Sequence, residues 1–147
     1  AERAEKVSAL ARDVSELLPD IVDALRGRVR APAGTLAWHP PCTLQHGMRL
    51  RGGVEQHLGA LGFTLRPAAQ EPHLCCGSAG TYSVLQPELS TQLRDRKLGH
   101  LLGERAADRP AAVLSANIGC ITHLQSGTDV PVRHWIEALD EALGASK

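Results

Sequence analysis

The sequence predicts an α/β fold: an open, mostly parallel four-stranded sheet flanked by helices, Rossmann-like in plan, with an N-terminal helical segment. Three observations lead to it. Four short apolar runs, at 35–39, 63–66, 111–115 and 130–133, alternate with longer stretches of helical periodicity, the pattern of successive β–α–β units with right-handed crossovers. Proline closes the first two runs, at Pro40-Pro41 and Pro67, as expected where a strand gives way to a loop. With 147 residues, the chain is long enough to enclose one proper core.

The elements follow in order. Val7, Leu10, Val14, Leu17, Leu18, Ile21, Val22 and Leu25 recur at three- and four-residue steps and predict one apolar helical stripe. Pro19 removes a backbone donor, so a break is expected there, with Pro19 in the first turn of a second short helix. Gly27 is a plausible stop, and 28–34 is a basic connector. Thr35–His39 reads as a strand. Residues 48–61 read as a helix weakened by Gly52-Gly53 and stopped at Gly62, and Phe63–Arg66 as the second strand. A long helical stretch is expected over 81–104, restarted at Pro87, with Leu89, Leu93, Leu98, Leu101 and Leu102 on its apolar face. A buried-type strand at 111–115, a short helix at 118–126, an edge strand at 130–133 and a final helix at 135–143 complete the chain.

Composition excludes several classes of function. Sixteen basic and sixteen acidic residues cancel, so no basic footprint for nucleic acid or an anionic membrane face is expected. The longest apolar run is only a few residues, and nothing is expected to span a bilayer. No charged-then-apolar leader opens the chain, so the expectation is a chain without a secretory signal, processed or excised in view of its first residue, Ala1. Four cysteines in such a chain favour reduced thiols over a disulfide framework.

Those cysteines carry the chemistry. Cys42 follows the first expected strand, Cys75 and Cys76 the second, and Cys120 the third. Thirty-two residues separate Cys42 from Cys75, and forty-three separate Cys76 from Cys120. Such gaps are too long for zinc-knuckle hairpins, but each spans one crossover. In an open parallel sheet, ligands bind beyond the carboxyl ends of the strands, so the fold gathers all four thiols at one edge, where a metal or iron–sulfur site requires them. Gly77 and Gly80, in Cys75-Cys76-Gly77-Ser78-Ala79-Gly80, let the backbone approach a bulky inorganic group. Cys76 and Cys120 are expected near helix starts, which favour thiolate.

The histidines leave alternatives open. His39 and His46 bracket Cys42 and are candidates to donate hydrogen bonds to a cluster sulfur or thiolate, the other reading being packing or a turn; the same holds for His73. His123, three residues after Cys120, is either an extra ligand or an ordinary helix residue. His57, His100 and His134 read as surface or helix-boundary residues. Residues 77–80 lack the Lys-Ser/Thr of a phosphate loop, and no Ser–His–Asp arrangement or paired-carboxylate site stands out.

At 35–143 the chain resembles the cysteine-rich CCG domain found in heterodisulfide reductases, lactate-utilisation proteins and glycolate oxidase iron–sulfur subunits, the last most closely. The resemblance rests on His39-Pro40-Pro41-Cys42-Thr43-Leu44-Gln45-His46, Cys75-Cys76-Gly77-Ser78-Ala79-Gly80-Thr81-Tyr82, Asn117-Ile118-Gly119-Cys120 and Val132-Arg133-His134-Trp135. Heterodisulfide-reductase domains end in Cys-x-x-Cys and use five cysteines; here Asn117 stands at the first position of that motif. The expected division is a helical segment and connector at 1–34, read from periodicity, and a CCG domain at 35–147; the resemblance implies Cys42, Cys75, Cys76 and Cys120 as ligands of an iron–sulfur cluster of 4Fe-4S type, with zinc as the alternative metal. It implies an electron-transfer part of a 2-hydroxy-acid oxidase, receiving electrons from FAD-bearing flavoprotein subunits and passing them toward quinone. It also implies a cytoplasmic place, with peripheral attachment to the inner membrane face through the complex. Two other readings of the cysteines stay open: a structural or docking module with free or zinc-bound thiols, and a thiol–disulfide enzyme using Cys75-Cys76.

Overall fold

The computed structural model describes residues 1–144; residues 145–147, the end of the expected 35–147 unit, lie outside the described residues. Four parallel strands, β1 (Thr35–Trp38), β2 (Thr64–Pro67), β3 (Val113–Ser115) and β4 (Val132–His134), form one sheet in the order β2-β1-β3-β4. Helices α1 (Glu2–Leu10), α2 (Val14–Leu25), α3 (Gly53–Ala60), α4 (Tyr82–Leu85), α5 (Pro87–Leu102), α6 (Ile118–Gln125) and α7 (Trp135–Gly144) surround it. The open α/β sheet expected from the alternating pattern is the observed architecture.

Side chains of a strand alternate between faces, and here they feed two cores. Leu36, Trp38 and Leu114 point to the side covered by α2, α3 and α7, through Leu18, Val22, Val54, Leu58, Trp135 and Leu139. Ala37, Val113 and Val132 point to the other side, covered by Leu98 and Leu101 of α5 and Leu124 of α6. Cys76 and Cys120 belong to this second core. The central strands β1 and β3 carry the most buried residues, which accounts for their unbroken apolar sequences. Pro67 ends β2 at the sheet edge, where a missing donor costs little.

Three expectations need correction. The N-terminal break falls at 11–13, not at Pro19: a capping box, with Asp13 accepting from Ser15 N and Glu16 accepting from Asp13 N, starts α2, and α2 runs through Pro19. The cap fixes the start by filling otherwise unpaired donors. The apolar stripe is correspondingly not continuous, because α1 has no buried residue and Val7 and Leu10 are 69% and 82% exposed. Finally, the helix expected over 48–61 is reduced to α3. Arg49 and Gly52 adopt left-handed φ of 59° and 76° and interrupt it, while a wide π-type turn, Thr43–Gly47, forms instead directly after Cys42. Pro87 begins α5 as expected, since its fixed φ suits the first helical position.

The chain runs from β1 outward to β2, then returns past β1 to β3. The order of the strands therefore reverses between β1 and β3. Beyond their carboxyl ends opens a crevice at the switch point, the usual ligand position of such sheets.

Candidate metal centre

All four cysteines line one cavity of about 430 Å³, together with Pro41, Thr43, Ser78, Gly80, Asn117 and Gly119. They arrive from three segments. Cys42 heads the π-type turn after β1; buried Leu44 anchors that turn in the core, and Gln45 Nε2 donates to Pro40 O at 2.8 Å. Cys75 and Cys76 lie in the loop between β2 and α4. Cys120 sits in the first turn of α6, whose start is capped by Asn117: its Oδ1 accepts from Gly119 N at 2.9 Å and Cys120 N at 3.3 Å. Asn117 thus serves the helix end, a role its side chain favours. The expectation that Cys76 also stands at a helix start is corrected, since the next helix begins only at Tyr82.

The thiols stand close enough for each to act on the ionisation of the next, in the order Cys42, Cys75, Cys76, Cys120; all four are free. Ser78 bridges two of them, with its Oγ 3.2 Å from Cys76 Sγ and donating to Cys120 Sγ at 3.7 Å. Gly77 N donates to Cys75 Sγ at 3.3 Å. The hydrogen bond to Cys76 and then burial push the Cys75 thiol up, opposite to what the attacking group of a thiol–disulfide enzyme requires. Burial, with Cys75 adjoining, also pushes Cys42 up. Cys120 moves the other way: hydrogen bonds from Cys76 and Ser78 outweigh its burial and hold it low. Four crowded thiols resist becoming four bare thiolates, and a cation among them removes that resistance.

Glycine roles divide. Gly80 (φ 47°) lines the cavity. Gly77 (φ 90°) instead lies against α5, where a Cβ would stand 2.5 Å from Ser90 O. Of the histidines, His46 is exposed on the π-type turn and His73 is exposed in the loop; neither lines the cavity. His123 Nε2 lies 3.1 Å from Ser90 Oγ and 3.2 Å from Ser90 O, and Ser90 Oγ donates to Gly77 O at 2.8 Å. His123 therefore braces the cysteine loop through α5, the ordinary structural reading. His57 and His100 also have protein partners, Gly53 O and the Glu71 carboxylate, and His134 Nδ1 accepts from Ile136 N.

His39 is different. It is 1% exposed and neither ring nitrogen has a hydrogen-bond partner, at a cost of about 1–3 kcal/mol for each buried polar group left unpaired. One of its ring nitrogens and the sulfurs of Cys76 and Cys120 lie within 4.8 Å of one another. Soft thiolates with an imidazole are a donor set suited to iron–sulfur clusters or zinc, so the residues present fit such a group.

Lys97 escaped the sequence reading. Its side chain is fully buried, and Nζ donates to Glu71 O at 3.2 Å and Pro72 O at 3.0 Å. Burial lowers its pKa, opposed by the nearby Cys76, Cys42 and Cys75. It holds the start of the cysteine loop and places a cation near the thiols. Position 97 follows the charged run Arg94-Asp95-Arg96 in α5, so no local signal marks it as buried.

Residues 36–125 match the family model described as the CCG cysteine-rich domain. Over 97% of its length the chain is 47% identical to the glycolate oxidase iron-sulfur subunit of Escherichia coli K12, covering 33% of that protein. It is 30% identical to lactate utilization protein A of an Exiguobacterium species over 96% of the chain and 58% of the relative. For lactate utilization protein A of Geobacillus kaustophilus the figures are 31%, 89% and 56%. The chain thus spans about a third of the first relative and somewhat over half of the others. With four strand-end thiols in one crevice and this match over most of the sheet, the chain belongs to the family of CCG cysteine-rich domains.

Proposed function

We propose that the chain is an iron–sulfur-binding electron-transfer unit of a 2-hydroxy-acid oxidising complex of the glycolate oxidase type. The observation that carries this reading is the meeting of Cys42, Cys75, Cys76 and Cys120 in one cavity at the switch point of the sheet, and the 47% identity to a glycolate oxidase iron-sulfur subunit supports it. On this reading the four sulfurs hold a cluster of 4Fe-4S type, which when bound takes up and passes on single electrons. FAD belongs to flavoprotein partner subunits, and the electrons go on toward quinone. The chain itself binds no 2-hydroxy acid. Gly77 N and Ser78 Oγ donate to the sulfurs and raise the tendency to accept an electron. Lys97 acts in the same direction through its charge. Attachment to a membrane is peripheral and through the complex; no described helix is long and apolar enough to cross one.

The test is Cys76→Ser in the full complex, with iron, sulfide and 2-hydroxy-acid-driven quinone reduction measured beside the wild type. The expected result is loss of most iron and sulfide from this site and of quinone reduction, while flavin reduction by the 2-hydroxy acid persists. Unchanged metal and unchanged quinone reduction would overturn the proposal.

A further inference from the structure

His39 is the buried polar side chain whose surroundings the four thiols leave unexplained. Ser90, Ser115 and Lys97, buried alike, all have hydrogen-bond partners. Among the described residues Ser15 Oγ and the indole nitrogens of Trp38 and Trp135 are also without partners, but none of these is a metal donor. His39 is one, and it is grouped with two more. A ring nitrogen, Cys76 Sγ and Cys120 Sγ lie within 4.8 Å of one another. Two donors about 2.0–2.3 Å from one ion stand at most roughly 4.6 Å apart, so a small inward movement brings all three within reach of one metal centre.

The ring is also held in advance. His39 N donates to Leu114 O at 2.9 Å, and His39 O accepts from Ser115 Oγ at 2.9 Å. Strand β3 thus fixes its backbone from both Leu114 and Ser115, and Pro40-Pro41 stiffens the chain on the far side. A rigid, dehydrated imidazole with a free nitrogen is prepared for a ligand rather than for solvent.

We propose that His39 is a metal ligand, one ring nitrogen joining the sulfurs of Cys76 and Cys120 in the first shell of the same metal centre. Cys42, exposed, and Cys75, half-buried, take the outer side of the centre. The inference rests on the reading of this cavity as a metal centre and deepens it: the donor set is mixed nitrogen and sulfur, not thiolate alone. A neutral imidazole adds a donor without adding charge, so the centre is less negative, and easier to reduce, than one completed by a fifth thiolate.

The experiment uses the full chain, reconstituted anaerobically with ferrous iron and sulfide and, in a parallel sample, with zinc. X-ray absorption at each metal edge reads the first shell, and pulsed EPR of the reduced iron sample compares unlabelled protein with protein carrying ¹⁵N-histidine. A nitrogen scatterer beside sulfur, and a strongly coupled nitrogen that responds to the label, are expected. His39→Gln should lose both signals with metal retained; His39→Cys should exchange nitrogen for sulfur at unchanged metal content and with a more negative reduction potential. The labelled wild type decides the matter even where a variant fails to fold. An all-sulfur shell with only weakly coupled nitrogen overturns the inference and leaves the iron–sulfur reading standing. Zinc bound with nitrogen, and no iron or sulfide taken up, upholds His39 and removes the electron-transfer reading. A chain that binds neither metal overturns both.

Discussion

Gly77 illustrates how one absent side chain shapes the centre. Its φ of 90° is left-handed, and a Cβ would meet Ser90 O at 2.5 Å and Leu93 Cβ at 3.2 Å. Gly77→Ala is therefore expected to destabilise the fold by roughly 2 kcal/mol or more and to reduce metal retention, because the loop carrying Cys75 and Cys76 must move off α5. Thermal unfolding and metal content of the variant check this; a variant as stable and as metal-rich as the wild type would contradict the packing described. The glycine itself was legible beside the paired cysteines, but the reason was not: the sequence suggested room for a cofactor, whereas the close neighbour is a helix far along the chain. The four cysteines were legible because strand ends converge in a parallel sheet. Lys97 and the Ser90–His123 brace were not, since both depend on contacts between residues more than twenty positions apart.

Among the elements, those marked by strong local chemistry were read closely. Pro87 at the start of α5, the apolar strands β1 and β3, and α6 after Asn117 lie within two residues of expectation. The misreadings occur where local signals compete. At the N-terminus the capping box of Asp13 and Glu16 prevails over Pro19, and after β1 two left-handed residues and a π-type turn replace the first turns of a helix. The exposed α1 gives a direct test. Since none of its residues is buried, deleting residues 1–10 should change the unfolding free energy by less than about 1 kcal/mol. Asp13→Ala, which breaks the capping box, should cost about 1 kcal/mol. A large loss on deleting α1, read by denaturant unfolding, would show that this helix packs in a way the structure does not contain.

At the scale of the molecule, neutral net charge conceals a set of carboxylates tied to bases. Burial opposes ionisation of Glu71, but hydrogen bonds from His100 and from Arg96 outweigh it and hold the carboxyl below its ordinary 4.5. Hydrogen bonds from Arg105 and Arg133 likewise lower Asp108 and Glu141. A carboxylate whose folded pKa is depressed stabilises the fold fully above its unfolded value and loses that contribution as pH falls through the folded one. The metal-free chain is therefore expected to hold its melting temperature from neutrality down to about pH 4.5 and to decline below it; the effect is modest, since the pairs are solvent-exposed. A melting temperature that rises on acidification through that range would contradict this. Glu71 also matters to the site, because its carbonyl is one of the two that Lys97 holds at the head of the cysteine loop.

The whole fold serves to deliver four thiols to one crevice, and metal content tests that most directly. The measurement is iron, acid-labile sulfide and zinc per chain in protein purified under strict anaerobiosis, with an EPR spectrum of the reduced sample. About four irons with matching sulfide and a reducible signal are expected for a four-cysteine cluster. One zinc without sulfide would recast the cysteines as a structural clip, and a chain with neither metal would contradict the account of the crevice as a metal centre.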